Sequence, residues 1–205
     1  MTGSTLSFRP SQHGFHFANN WPKGAPVRVG RFTVLRLKGG MCGGMCVAVR
    51  RLWQAGAPVP ADLAAPVAGP LADQIWHAQL ASLRLPLGPL RYLWLQLPAV
   101  SAVTRRRVTR EEAVPALRRS IDEGVPQVLG LVRVVSWSPL ATSHNHQVLA
   151  YGYEEAGGDQ PAGLLRVLIY DPNWPDDDDV VLTVHPDGRV EHSDGKLVAA
   201  MFPTG

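Results

Sequence analysis

Cysteine is scarce in this chain of 205 residues, which contains only two. Both thiols, Cys42 and Cys46, lie in the glycine-rich stretch "LKGGMCGGMCVAVRRLW". Two cysteines are too few for the disulfide framework of a small extracellular protein, so the fold must depend on its hydrophobic core. A chain of this length can bury such a core without disulfides.

Long apolar runs are also missing, and no stretch reaches the roughly 18 residues that a membrane-spanning helix needs. The first residues, "MTGSTLSFRPSQHG", lack the basic segment and apolar segment of a secretory signal. We therefore expect no membrane partner and a cytoplasmic location.

Charge of one sign is not concentrated enough to indicate a nucleic-acid partner. The formal net charge is +3, and its main basic cluster is Arg105, Arg106, Arg107 and Arg110. No aromatic residue interleaves this cluster, so it offers no platform for base stacking. We interpret it as a solvated surface and expect no nucleic-acid binding.

What the sequence does contain is helical periodicity followed by strand-like runs. The pattern predicts one domain over 1–205, with a loop or strand region at 1–35, a helical part at 36–124 and a β-sheet part at 125–205. Thr109 and Glu112 have the spacing of a capping box, which predicts a helix start there. Helices followed by antiparallel strands indicate the α+β class.

Cys42 is predicted to begin a helix. At that position the unpaired backbone N–H groups and the helix dipole favour the thiolate, which makes the sulfur a better nucleophile. Gly43 and Gly44 would each cost about 1 kcal/mol in the helix relative to alanine. We interpret them as clearing space for a substrate over the thiol of Cys42. Cys46, one turn later on the apolar face, is expected to be buried and inert.

A thiolate nucleophile needs a base, and the base needs an orienting group. His146 begins the strand-like run "HQVLAYGY", and Asp171 ends the run "LLRVLIYD". If the two runs are neighbouring antiparallel strands, the carboxylate of Asp171 lies beside the imidazole of His146. This arrangement would fix the tautomer of the ring.

Three strings in this order, "CGGMCVAV", "HQVLAYGY" and "YDPN", resemble the papain-like cysteine peptidase superfamily, and most closely its bacterial branch of double-glycine leader peptidase-like domains. The resemblance covers roughly residues 35–185. It implies a papain-like fold, in which a nucleophile helix packs on a C-terminal antiparallel sheet. It also implies that Cys42 is the nucleophile, His146 the base and acid, and Asp171 the orienting residue. A peptide or amide substrate and no cofactor are expected, and the acyl group on Cys42 could pass to water, as in a peptidase or amidase, or to an amine, as in an acyltransferase.

The resemblance also implies an oxyanion donor, because relatives usually carry a glutamine a few residues before the nucleophile. The stretch "VLRLKGGM" has none. Asn19 or Asn20 could supply an amide instead, and our prediction is Asn20. The missing glutamine leaves open an inactive papain-like binding module.

A zinc site is the second alternative. Cys42 and Cys46 share a helix face, whereas His144 and His146 share a strand face, so a Cys2His2 set is geometrically possible.

Overall fold

We describe the protein from a computed structural model, which describes residues 3–21, 25–29, 32–37, 40–84, 87–155, 157 and 162–204. The α-helices are α1 (Pro10–His13), α2 (Cys42–Gln54), α3 (Pro70–Leu83), α4 (Leu87–Gln96), α5 (Ala102–Val108) and α6 (Val114–Asp122). The strands are β1 (Gly3–Thr5), β2 (Ala25–Val29), β3 (Phe32–Leu37), β4 (Gln127–Val132), β5 (His146–Glu155), β6 (Leu165–Tyr170), β7 (Val181–Val184), β8 (Val190–His192), β9 (Leu197–Val198) and β10 (Ala200–Pro203). Within these ranges no helix is long and apolar enough to cross a membrane.

The main sheet is antiparallel and contains eight strands of the described chain. Seven of them follow the order β10-β4-β5-β6-β7-β8-β9, and the short strand β1 pairs with β5 beside this path. Strands β2 and β3 form a separate antiparallel hairpin. The mixture of helices and antiparallel sheet confirms the predicted α+β class.

The unbroken apolar run in strand β5 is explained by the burial of both faces of the strand. The side chains of Leu149 and Tyr151 belong to the core cluster that contains α2. Those of Val148 and Ala150 belong to the cluster that contains residues of α6. Because the sheet carries a helix on each face, both sides of the strand are buried, as in other sheets covered on both faces.

The helix predicted to begin at Cys42 is confirmed as α2, Cys42–Gln54. The capping box at Thr109 is wrong. Ser101 caps the start of α5, because its hydroxyl accepts the N–H of Thr104 at 3.1 Å. The chain then continues through a single π-helical turn, Thr109–Ala113, into α6. Thr109 is therefore inside a helical segment, and its hydroxyl bonds the backbone of β10 at Met201 instead.

Candidate active site

Helix α2 presents Cys42 at its first position. Met41 precedes it as the N-cap residue, and the N–H of Met45 closes the first turn by donating to the carbonyl of Met41 at 2.9 Å. Cys42 is partly exposed, whereas Cys46 is fully buried. The thiol of Cys46 lies 3.6 Å from the carbonyl oxygen of Gln147. The two cysteines thus differ in accessibility as the sequence predicts.

His146 and Asp171 lie together at one end of the sheet. Strands β5 and β6 are antiparallel, with Leu149 opposite Tyr170, so the start of β5 is next to the end of β6. Nε2 of His146 lies 2.6 Å from Oδ1 of Asp171. Both side chains are buried. The juxtaposition predicted from the two strand-like runs is therefore present.

Cys42 completes the arrangement through a hydrogen bond with the ring of His146. Since Nε2 is engaged by Asp171, Nδ1 is the ring nitrogen left for Cys42. Helix α2 packs on β5, which is the strand that carries His146 at its first residue. The helix start and the strand start therefore meet, and Cys42, His146 and Asp171 form one hydrogen-bonded row.

The electrostatics of this row favour a thiolate–imidazolium pair. Burial tends to raise the pKa of Cys42, but the positive charge of His146 and its hydrogen bond hold that pKa below the ordinary value. Burial tends to lower the pKa of His146, but the charges of Asp171 and Cys42 raise it to about 9. Cys46 has the opposite shift, because burial and the neighbouring charge of Cys42 raise its pKa well above the ordinary value.

Asp171 is held by more than His146. Burial opposes its charged form, but the charge of His146 and the hydrogen bonds from His146, His192 and the N–H of Asn173 keep its pKa below the ordinary value. His192 Nε2 lies 3.1 Å from Oδ2, the oxygen that His146 does not use. The guanidinium of Arg133 approaches the same oxygen at 3.8 Å. Sequence reasoning missed both residues, because each comes from a separate part of the chain and no local pattern marks it.

The two glycines after Cys42 have a different role from the one we expected. A Cβ on Gly43 would lie 1.6 Å from Oε1 of Gln147, and a Cβ on Gly44 would lie 2.3 Å from the carbonyl oxygen of Ile75. Both glycines are buried. The space that they leave is therefore filled by β5 and α3, so the interpretation as room for a substrate is wrong.

Asn19, rather than Asn20, lies beside the helix start. Oδ1 of Asn19 accepts the N–H of Met41 at 2.7 Å, and Asn19 lines the cavity that contains Cys42. Asn20 is exposed and does not line that cavity. The structure therefore brings Asn19, and not the predicted Asn20, to the start of α2, since the direction of a loop side chain depends on backbone turns that composition does not specify.

Gln79 of α3 is a second amide at this site that the sequence did not reveal. Its Oε1 accepts the N–H of Gly44 at 2.7 Å, which satisfies one of the unpaired donors of the first helical turn. Gln79 also lines the cavity with Cys42. With their oxygens committed to backbone N–H groups, Asn19 and Gln79 have only NH₂ groups left to offer a ligand.

The cavity over Cys42 has a volume of about 500 Å³, which suits a small ligand or part of a peptide. The apolar part of its lining includes Trp76, Leu80, Leu83 and Pro89. The polar part includes Arg133 and His144. Within the described chain, no Asp or Glu side chain lines this cavity.

The Cys2His2 alternative is not formed. His144 is exposed, whereas Cys46 is fully buried and directed at the carbonyl of Gln147. In the part of the chain that the structure describes, no three His, Cys, Asp or Glu side chains come together as a metal-binding set. Cys42 and His146 instead bond each other.

Comparison with known proteins adds no further constraint, since no protein-family model, curated protein or solved structure matches this chain. What the site can do is therefore inferred from the geometry and chemistry of the site alone.

Proposed function

We propose that the protein is a papain-like cysteine hydrolase that acts by acyl transfer to Cys42. The observation that carries this proposal is the row of three side chains: a partly exposed thiol at a helix start, a buried histidine and a buried carboxylate, with 2.6 Å between Nε2 of His146 and Oδ1 of Asp171. Nucleophile, base and orienter in hydrogen-bond contact are the arrangement that nucleophilic catalysis requires.

In the proposed reaction the thiolate of Cys42 attacks the carbonyl carbon of an amide. The carbonyl π bond opens, and the negative charge moves to the oxygen of a tetrahedral intermediate. When the C–N bond breaks, the imidazolium of His146 gives its proton to the leaving amine, and a thioester on Cys42 remains. Water then attacks the thioester carbonyl while His146 takes its proton. Breaking of the C–S bond releases the carboxylic acid and restores the thiolate of Cys42 beside the imidazolium of His146.

The oxyanion of the tetrahedral intermediate needs hydrogen-bond donors. We assign this role to the backbone N–H of Cys42 and to the amide NH₂ of Asn19, because the oxygen of Asn19 is already held by the N–H of Met41. Asn19 replaces the glutamine that is absent before the nucleophile. With Asn19 in this role, the missing glutamine does not by itself favour the inactive binding module.

The substrate class follows from the cavity. Trp76, Leu80 and Leu83 offer an apolar wall for an aliphatic or aromatic side chain next to the scissile carbonyl. We therefore expect an amide or a peptide with an apolar residue on its acyl side.

An activated ester tests the proposal without knowledge of the natural substrate. Mixing the protein with p-nitrophenyl acetate should release a burst of one p-nitrophenol per protein, and the tryptic peptide that contains Cys42 should gain an acetyl group. Cys42→Ser should lose the burst, and Cys46→Ser should keep it. A burst that survives Cys42→Ser, or the lack of any acylation, would point to the binding module instead.

A further inference from the structure

A second cavity shares Arg133 with the cavity over Cys42 and has a volume of about 290 Å³. Four arginines line it, two from α5, one just after β4 and one just before β8; they are Arg105, Arg106, Arg133 and Arg189. We call this cavity the arginine pocket. Arg105 is buried, so the interpretation of its cluster as a solvated surface is wrong for this residue.

The positive charge of the pocket is only partly neutralised. Arg105 bonds two backbone carbonyls, those of Leu95 and Leu97, each at 2.7 Å, and these neutral acceptors leave its charge uncompensated. Arg106 and Arg189 share a single carboxylate oxygen, Oδ2 of Asp187, at 2.9 and 3.1 Å. One acidic side chain therefore serves two guanidinium groups at the rim.

Arg133 belongs to the lining of the pocket. Its Nε and Nη2 atoms are buried and have no hydrogen-bond partner among the described residues. Nη2 lies 3.8 Å from the carboxylate of Asp171, beyond hydrogen-bond range, and that carboxylate is already engaged by two histidines. Because both atoms are closed to solvent, Arg133 contributes its positive charge to the pocket rather than these two donors.

The turn that carries Arg189 is packed tightly against α5. Gly188 has a φ of +85°, and a Cβ there would lie 2.3 Å from the carbonyl oxygen of Arg106. Only glycine permits this combination of backbone angle and close approach. The relative position of Arg106 and Arg189 is therefore fixed by the backbone as well as by Asp187.

We propose that the arginine pocket binds a phosphate group, either as free phosphate or as the phosphomonoester of a small molecule. Guanidinium groups offer paired donors that match phosphate oxygens, and four arginines in one lining give the cavity a positive charge that suits a dianion. The remaining lining is aliphatic and includes Ala102, Val190, Leu197, Val198 and Ala199. Since it contains no aromatic side chain to stack on a base, a small molecule fits the pocket better than a nucleic acid.

The arginine pocket is separate from the proposed acyl-transfer site, and the inference does not depend on that function. Arg133 nevertheless lines both cavities.

Isothermal titration calorimetry of the native protein with inorganic phosphate and with ethyl phosphate tests the inference. We expect saturable one-site binding of at least one of these ligands and none of acetate at matched ionic strength. Tighter binding of inorganic phosphate would identify the free anion as the ligand, whereas tighter binding of ethyl phosphate would identify an ester. Lack of saturable binding of both phosphates by the native protein would overturn the proposal.

Substitutions locate the site. The double variant Arg106→Gln/Arg189→Gln should weaken phosphate binding roughly tenfold or more, because it removes two charge-assisted donors and leaves Asp187 facing the ligand. Arg107→Gln is the matched control, since Arg107 is exposed on the same helix and does not line the pocket. Equal losses in the double variant and the control would overturn the assignment, as would unchanged binding in a double variant whose circular dichroism is native.

Discussion

Nε2 of His192 lies 3.1 Å from Oδ2 of Asp171, whereas His146 bonds the other carboxylate oxygen, Oδ1. Nδ1 of His192 lies 3.0 Å from both the N–H and Oδ1 of Asp194, so both ring nitrogens of His192 are engaged. The carboxylate is therefore held from both sides. Such a bond fixes the direction in which Asp171 meets His146, and it makes His192 a positioning residue for the proposed reaction.

Removal of this support should weaken the site without removing any group that touches the substrate. His192→Phe should lower the rate of alkylation of Cys42 at pH 6 roughly tenfold, the effect of one hydrogen bond to a charged group. It should also shift the pH profile of alkylation upward, because a less ordered Asp171 stabilises the imidazolium less. His192→Gln retains an N–H donor and should recover part of the rate. A purely structural role would lower the melting temperature of His192→Phe and leave its pH profile in place.

The pH dependence of turnover should reflect the thiolate–imidazolium pair. The pKa of Cys42 is below its ordinary value, so the thiolate is present on the acidic side of an ordinary thiol's titration. The pKa of His146 is raised to about 9, so the proton needed by the leaving amine is lost as the pH rises through that value. We expect kcat/KM for an amide to be bell-shaped, with its basic limb near pH 9. A basic limb near 6.5, the ordinary value for histidine, would show that the ring is not held by Asp171 and Cys42.

The thiolate–imidazolium pair contributes to stability in two opposite senses. Because the pKa of His146 is raised above its ordinary value of 6.5, its contribution is complete below about pH 6.5 and is lost as the pH rises through about 9. Because the pKa of Cys42 is lowered, its contribution is complete above the ordinary value and is lost as the pH falls through the lowered pKa. The two contributions offset each other between about pH 6.5 and 9, so the melting temperature of the native protein should change little there. Cys42→Ala keeps only the contribution of His146 and should show a fall over this interval when both proteins are measured by differential scanning calorimetry in the same buffers.

Asn19 and Asn20 provide a matched pair of amides, one at the site and one exposed. Asn19→Ala should lower kcat roughly 100-fold, which is typical of the loss of one oxyanion donor, with a smaller effect on KM. Asn20→Ala should leave both constants near their native values. Equal activity of the two variants would remove Asn19 from the oxyanion site and leave Gln79 as the amide donor to test.

Local sequence signals predict much of this site. The site residues that they do not predict were missed for one physical reason. Cys42 and His146 each stand at the start of a regular element, and Asp171 ends a strand, so periodicity locates them. His192 and Arg133 meet Asp171 only because strands distant in sequence are brought together by the sheet. The sequence alone does not distinguish Asn19 from Asn20, because a loop carries no periodicity that would give the direction of either side chain.

The glycines illustrate a second limit of the sequence. Their cost in a helix was recognised, but whether the vacant space belongs to a substrate or to the protein depends on what packs against α2. Gln147 and the backbone of Ile75 occupy that space. Similarly, the spacing of Thr109 and Glu112 satisfies a capping box, but Ser101 begins the helix earlier and the π-helical turn lets it continue.

Gly44→Ala gives a direct test of this packing. In an exposed helix the substitution would stabilise by about 1 kcal/mol. Here the Cβ would lie 2.3 Å from the carbonyl oxygen of Ile75, which is backbone and cannot rotate away. We expect destabilisation of about 1–3 kcal/mol from overpacking. Chemical denaturation would measure it, and a more stable variant would contradict the close approach of α2 and α3.

The central claim is that the site makes Cys42, and not Cys46, a reactive thiolate. The most direct measurement is the rate of alkylation of each cysteine by iodoacetamide at pH 6, followed by mass spectrometry of the two cysteine positions in native protein and in His146→Gln. The account predicts rapid modification of Cys42 in the native protein, slow modification of Cys42 in His146→Gln, and protection of Cys46 in both while the fold is intact. Modification of Cys42 no faster than an ordinary thiol, or a rate that does not change in His146→Gln, would contradict it.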